Sequence, residues 1–280
     1  MASNDDRRLR PICVFDSGLG GLTVVRELAG ALPGEDIIYL GDTARVPYGI
    51  KSPETIRRFA CEDAAFLLRF NPKMLVVACN TASAAAVDAL VAMSPVPVID
   101  MIRPGAAAAC EAANGSLIGV IGTEATVRSK AYERAIEACR PGSRVCSVPC
   151  PLLVPIVEEG RDADDPIVTH VLCDYLRDMQ RRRPGALILG CTHYPLLWDA
   201  IAKLMGPDVR LINSGLAAAR QAQQMLDAQG ELNPRSSLGA LRCFTTDNPE
   251  RFAVLGKRFG GRDLTSVAYV GTDELEGGPR

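Results

Sequence analysis

Short apolar runs, each of strand length and each followed by a stretch of helical periodicity, recur along this 280-residue chain. Ile12-Cys13-Val14-Phe15, Met74-Leu75-Val76-Val77 and Ala186-Leu187-Ile188-Leu189 read as buried strands. Strands alternating with helices in this way predict a parallel α/β sheet. Strands are expected over 12–15, 36–40, 74–78 and 96–99, then over 117–121, 144–148, 186–189 and 209–212. Helices are expected over 22–32, 52–70, 82–93, 104–113, 127–138, 167–180, 195–204 and 215–228. The last part adds strand-like runs at 241–246 and 266–270 around a helix over 249–255.

The second series echoes the first. A strand, the Asp16-Ser17-Gly18 loop, a helix and a later strand ending in Cys79 make one half. A strand, the Gly122-Thr123 loop, a helix and a later strand ending in Cys191 make the other. This echo predicts two similar α/β lobes facing one another across a cleft. Open α/β sheets bind ligands beyond the carboxyl ends of their strands, so both cysteines are expected to face one cavity. A thiol between a strand and a helix start also lies where free N–H groups and the helix dipole lower its pKa. Two such thiols suggest a pair of acid–base groups working on one substrate.

Composition removes other classes of function. A net charge of −2 offers no field for nucleic acid. No apolar stretch is long enough to span a bilayer, and the polar start predicts no secretory signal. The ten cysteines are therefore expected to be reduced thiols of a cytoplasmic protein. Cys146, Cys150, His170 and Cys173 loosely match zinc-ligand spacing. The first pair brackets strand and loop instead of a knuckle, and the second lies in a helical pattern, so no metal site is expected.

Four loops carry the chemistry. Asp16-Ser17-Gly18-Leu19-Gly20-Gly21 is Gly-x-Gly-Gly, not the Gly-x-Gly-x-x-Gly of dinucleotide sites, and Asp16 would oppose a pyrophosphate. Asp16 suits an ammonium group or the tuning of a neighbouring acid, and Ser17 suits a helix cap. Asp42-Thr43-Ala44-Arg45-Val46-Pro47-Tyr48-Gly49 reads as an extended loop whose backbone and Tyr48 ring could line a pocket. Asn80, Thr81, Thr192, His193 and, from the second lobe, Thr123 supply neutral donors beside the thiols, a set suited to carboxylates. His193, two residues from Cys191, suits proton transfer, and Glu158 is a further candidate acid.

Asp-Ser-Gly-x-Gly-Gly, Pro-Tyr-Gly, Ala-Cys-Asn-Thr-Ala and Gly-Cys-Thr-His-Tyr-Pro stand here in the order found in bacterial glutamate racemases, which the chain resembles over roughly 12–214. The resemblance implies two pseudo-symmetric lobes, over 1–98 and 99–210, with the active site between them. It also implies that 211–280 returns to the first lobe. It implies an isomerase that interconverts L- and D-glutamate for peptidoglycan, with no cofactor, no membrane or nucleic-acid partner, and in many relatives a homodimer. Cys79 would take the α-proton of D-glutamate and Cys191 that of L-glutamate, assisted by Asp16 and His193 respectively, with Glu158 a third assistant. Asp16, Ser17, Tyr48, Gly49, Asn80, Thr81, Thr123, Thr192 and His193 would hold the substrate. The chain departs from many relatives at Asn213, where an acid is expected. Aspartate racemases typically carry Glu at the position of His193, and arylmalonate decarboxylases keep only one thiol, so both fit less well.

Overall fold

Residues that are apolar on both faces need cover on both faces, and the chain supplies it with helices between successive strands. The computed structural model describes residues 7–277, so the outermost residues of the first and last expected segments lie outside the described residues. Two sheets form, and every strand pair in them is parallel. The first sheet contains β1 (Ile12–Asp16), β2 (Ile37–Gly41), β3 (Met74–Val77) and β4 (Val98–Ile99). The second contains β5 (Ile118–Gly122), β6 (Val145–Pro149), β7 (Ala186–Gly190) and β8 (Arg210–Asn213), in the order β6-β5-β7-β8. Every residue of β1, β3, β5 and β7 is buried.

The helices are α1 (Leu22–Ala31), α2 (Pro53–Leu68), α3 (Asn80–Met93), α4 (Ile102–Ala113), α5 (Glu124–Ser129) and α6 (Ala131–Cys139). They continue with α7 (Leu153–Glu158), α8 (Pro166–Arg182), α9 (Trp198–Met205) and α10 (Ser214–Ala228). Local chemistry fixes several starts. Ser52 accepts from the Thr55 N–H with Pro53 at the first helical position, and Asn213 Oδ1 accepts from Gly215 and Leu216 at the head of α10. The helix expected over 127–138 is two helices, because Lys130 takes a left-handed φ of 54° between α5 and α6. The short α7 was not expected, since three prolines between 149 and 155 obscure its periodicity.

The C-terminal segment contributes β9 (Leu241–Thr245), α11 (Pro249–Gly260), β10 (Val267–Tyr269) and α12 (Thr272–Glu276). β9 pairs with β2 and β10 with β9, so the first sheet runs β10-β9-β2-β1-β3-β4. β8 pairs with β7, and the second sheet therefore extends past the boundary placed after residue 210. α10 packs on both α1 and α4 and so touches helices of each lobe. Buried Lys73 ties these parts together, with Nζ bonded to Glu35 and to the Glu231 carbonyl at 2.9 Å.

Register places the chemistry. Asp16 lies beside Gly41, and Phe15 beside Val77, so Asp16, Asp42 and Cys79 leave the first sheet at one edge. Gly122 lies beside both Pro149 and Gly190, so Thr123, Cys150 and Cys191 leave the second sheet together.

The loop expected to be extended over 42–49 instead makes two 3-10 turns, Thr43–Arg45 and Tyr48–Ile50, around a cis Val46–Pro47 peptide. Arg45 organises it, pairing with Asp42 at 2.7 Å, Asp63 of α2 at 2.8 Å, and Glu62. Asp42 and Asp63 are fully buried, so this cation compensates charges that water cannot reach. Arg45→Met should lower unfolding free energy by about 3–5 kcal/mol in a urea titration. A loss under about 1 kcal/mol would show that the cluster does not depend on it.

Candidate active site

The first thiol closes the head of α3. Cys79 is its N-cap, its Sγ accepting from the Ala82 N–H at 3.4 Å and facing the Ser17 hydroxyl at 3.6 Å. Burial pushes this thiol up to about 12, and the nearby Asp16 carboxylate adds to the rise. The lowering expected from the helix start is therefore overturned at Cys79, where lost hydration outweighs the N–H donors. Asp16 lies behind the Ser17-Gly18 turn, with Oδ2 accepting from the Gly18 N–H at 2.9 Å and Oδ1 buried without a partner. Burial raises its carboxyl above the usual range, against the pull of His193 and the N–H groups of Gly18 and Gly21.

The second thiol has a different environment. Cys191 Sγ lies 3.8 Å from His193 Nδ1, and His193 Nε2 lies 3.0 Å from Glu158 Oε1 at the end of α7. The imidazole edge meets the Phe259 ring of α11, with centroids 5.3 Å apart. Burial opposes a charge on this ring, but Cys191 and Glu158 outweigh it through hydrogen bonds and charge, holding the imidazole's pKa up at about 10. The His193 bond in turn holds Glu158 below its usual value. A cation flanked by Glu158 and Cys191 thus stands at the second loop, whereas Cys79 stands beside an anion.

The glycine loop brings the two settings together. A Cβ on Gly20 would lie 2.1 Å from Thr192 Oγ1 and 2.5 Å from the His193 ring, so only glycine permits this approach. The Thr23 hydroxyl shares its proton between the Gly20 carbonyl at 2.8 Å and the Thr192 carbonyl at 2.9 Å across the same contact. On the opposite wall the Thr81 and Thr123 hydroxyls are 2.8 Å apart, and Thr126 joins them. Gly49 also approaches the Thr123 side chain, its Cβ position lying 2.9 Å from Thr123 Cβ.

Between these walls lies a cavity of about 370 Å³ lined by Ser17, Tyr48, Gly49, Cys79, Asn80, Thr81, Thr123, Glu158, Cys191, Thr192 and His193. Asp16 is the one expected site residue behind this lining instead of in it. Tyr48 lines the cavity, but its hydroxyl is bonded to Asp42 and Asp63, which leaves its ring and backbone for a ligand. Val46 of the 42–49 loop adds an apolar wall with Ile50, Pro151, Val154 and Pro155, four residues that no sequence motif indicated. A larger open groove of about 870 Å³ beside α4 and α10 is lined by one thiol, Cys139, among arginines and glutamates such as Arg26, Glu27, Arg103 and Glu111. Among the described residues no cluster of His, Cys, Asp and Glu is arranged to hold a metal ion, and no helix is long and apolar enough to cross a membrane.

Two thiols from two sheets thus line one small cavity. Residues 21–222 match the family of Asp/Glu/hydantoin racemases. A glutamate racemase of Syntrophus aciditrophicus is 47% identical over 262 residues, covering 94% of this chain and 97% of its own. Among solved structures, glutamate racemase of Francisella tularensis in complex with D-glutamate is 41% identical, with a TM-score of 0.88 over 95% of this chain and 99% of that one. The Thermus thermophilus glutamate racemase bound to beta-chloro-D-alanine is 44% identical, with a TM-score of 0.86 over 95% and 99%. The chain therefore belongs to the Asp/Glu/hydantoin racemase family, and within it to the glutamate racemases.

A raised His193 pKa stabilises the fold fully below pH 6.5, and that contribution is lost as pH rises through about 10. Glu158→Gln removes one of the two partners. With only two histidines in the chain, a proton NMR titration resolves the ring, and its pKa should fall by about one unit or more. The alkaline loss of thermal stability should then begin at lower pH. An unmoved titration would show that Glu158 does not hold the proton.

Proposed function

We propose that this chain is a cytoplasmic glutamate racemase that exchanges the α-proton of L- and D-glutamate between two thiols, supplying D-glutamate to peptidoglycan synthesis. The observation that carries the reading is that Cys79 and Cys191 line one cavity from different sheets, in opposite electrostatic settings. Inversion needs a base on one face of the α-carbon and an acid on the other. One group alone would return the proton to the face it left.

The resting arrangement suits L-glutamate. Cys191, with the imidazolium at its Sγ, takes the α-proton, while Cys79, held as a thiol by burial and Asp16, delivers one to the opposite face. The reverse direction exchanges the roles, and Asp16 and His193 then assist the transfers at their own thiols. Asn80 Oδ1, a buried acceptor without a partner on a residue of the cavity lining, takes the substrate ammonium, with the Asp16 carboxylate behind the lining attracting the same positive charge. Hydroxyls of Ser17, Thr81, Thr123 and Thr192, with the Gly49 backbone, take the carboxylates. Among the described residues lining the cavity none is a lysine, so the chain offers no amine for a Schiff base there. The D-glutamate bound to the Francisella relative supports the same substrate class here.

Cys79→Ser and Cys191→Ser should each cut racemisation by about 100-fold or more. In D2O the Cys79 variant should still exchange the α-proton of L-glutamate without inverting it, and the Cys191 variant should do so with D-glutamate. A serine variant that racemises at the wild-type rate would sink the two-thiol mechanism. Wild-type protein that leaves both α-proton and optical rotation unchanged would sink the activity.

A further inference from the structure

Asn80 opens α3 one residue after Cys79 and lines the cavity, but its amide is held from the second lobe and the interlobe helix. Its Nδ2 donates to the Tyr132 hydroxyl of α6 at 2.8 Å and to the Ser214 hydroxyl of α10 at 3.1 Å. A hydroxyl has one proton to give. Tyr132 gives its proton to the Met101 carbonyl at 3.4 Å, and Ser214 gives its own to the Leu189 carbonyl at 3.2 Å. Both hydroxyls then act as acceptors toward Asn80, and the NH2 edge of the amide facing them satisfies both hydroxyls and both carbonyls at once. A flipped amide would set Oδ1 against the same two oxygens and draw their protons off the Met101 and Leu189 carbonyls. The consequence is visible in Oδ1 itself, which is buried with no partner in a residue only 2% exposed. Such an acceptor is costly until a ligand donates to it. Gly105 of α4 makes room for the arrangement, its Cβ position lying 3.2 Å from Ser214 Cβ and 3.4 Å from the Tyr132 ring.

We propose that Tyr132 and Ser214 are positioning residues that lock the Asn80 amide with Oδ1 toward the substrate's α-ammonium. The inference rests on the glutamate reading above and deepens it. Ser214 also bonds β7, the strand leading to Cys191, so one hydroxyl spans the supports of both thiols. The ammonium carries the same charge in the ground state and in the transition state. Its anchor therefore contributes uniform binding, which appears in KM and not in kcat.

The test is Tyr132→Phe and Ser214→Ala, each assayed with L- and D-glutamate and with glutarate as inhibitor. Glutarate is the same dicarboxylate without the amine. KM should rise roughly tenfold for both enantiomers, with kcat within about threefold of wild type and glutarate inhibition unchanged. A KM within about twofold of wild type overturns the inference. Parallel weakening of glutamate and glutarate overturns it too, since a merely loosened cleft would weaken both. Wild-type protein inactive on glutamate would instead overturn the underlying reading, and this inference with it.

Discussion

The contact between the glycine loop of the first lobe and the second thiol loop sets the geometry of everything else. Gly20 has no Cβ because Thr192 and His193 occupy that space, and the Thr23 hydroxyl bridges the Gly20 and Thr192 carbonyls at the same point. Cleft width, the separation of the thiols and the proximity of Asp16 to His193 all follow from this approach. A second close approach, Gly49 against Thr123, fixes the opposite wall. Two sheets held at two glycine contacts leave a cavity of about 370 Å³ between them.

Within that frame the two cysteines are alike in sequence position and unlike in chemistry. Both follow a buried strand of a parallel sheet. One is then surrounded by apolar side chains and a carboxylate, the other by an imidazolium that a second carboxylate sustains. Symmetry of fold with asymmetry of charge is what a reaction needs when a proton leaves by one side and arrives by the other. The pseudo-repeat supplies the geometry, and side chains outside the repeat, Glu158 on α7 and Phe259 on α11, supply the difference.

Much of this was legible in the chain itself. Continuous apolar runs gave away the parallel sheets because burial on both faces leaves no alternation, and the motif loops fell at strand ends because that is where ligands bind in such sheets. Local signals failed where distant residues decide. The pKa of Cys79 followed burial and Asp16 instead of the helix start. The Tyr48 hydroxyl turned to Asp42 and Asp63, a partnership that depends on α2 lying under the loop. The left-handed break at Lys130 has no glycine to announce it. Tyr132 and Ser214 carry no motif, and only the fold brings them to Asn80.

The first sheet is assembled from both ends of the chain. Asp36 and Ala240, 204 residues apart, are joined by a hydrogen bond where β2 meets β9. As the polypeptide leaves the ribosome, the second lobe can complete its own sheet from contiguous sequence, whereas β2 keeps an open edge until nearly the last strand arrives. The Phe259 ring that backs His193 arrives later still. Synthesis therefore finishes the scaffold and the proton-holding side of the cleft together, and a chain cut short before β9 leaves an unpaired strand edge and an unsupported imidazole.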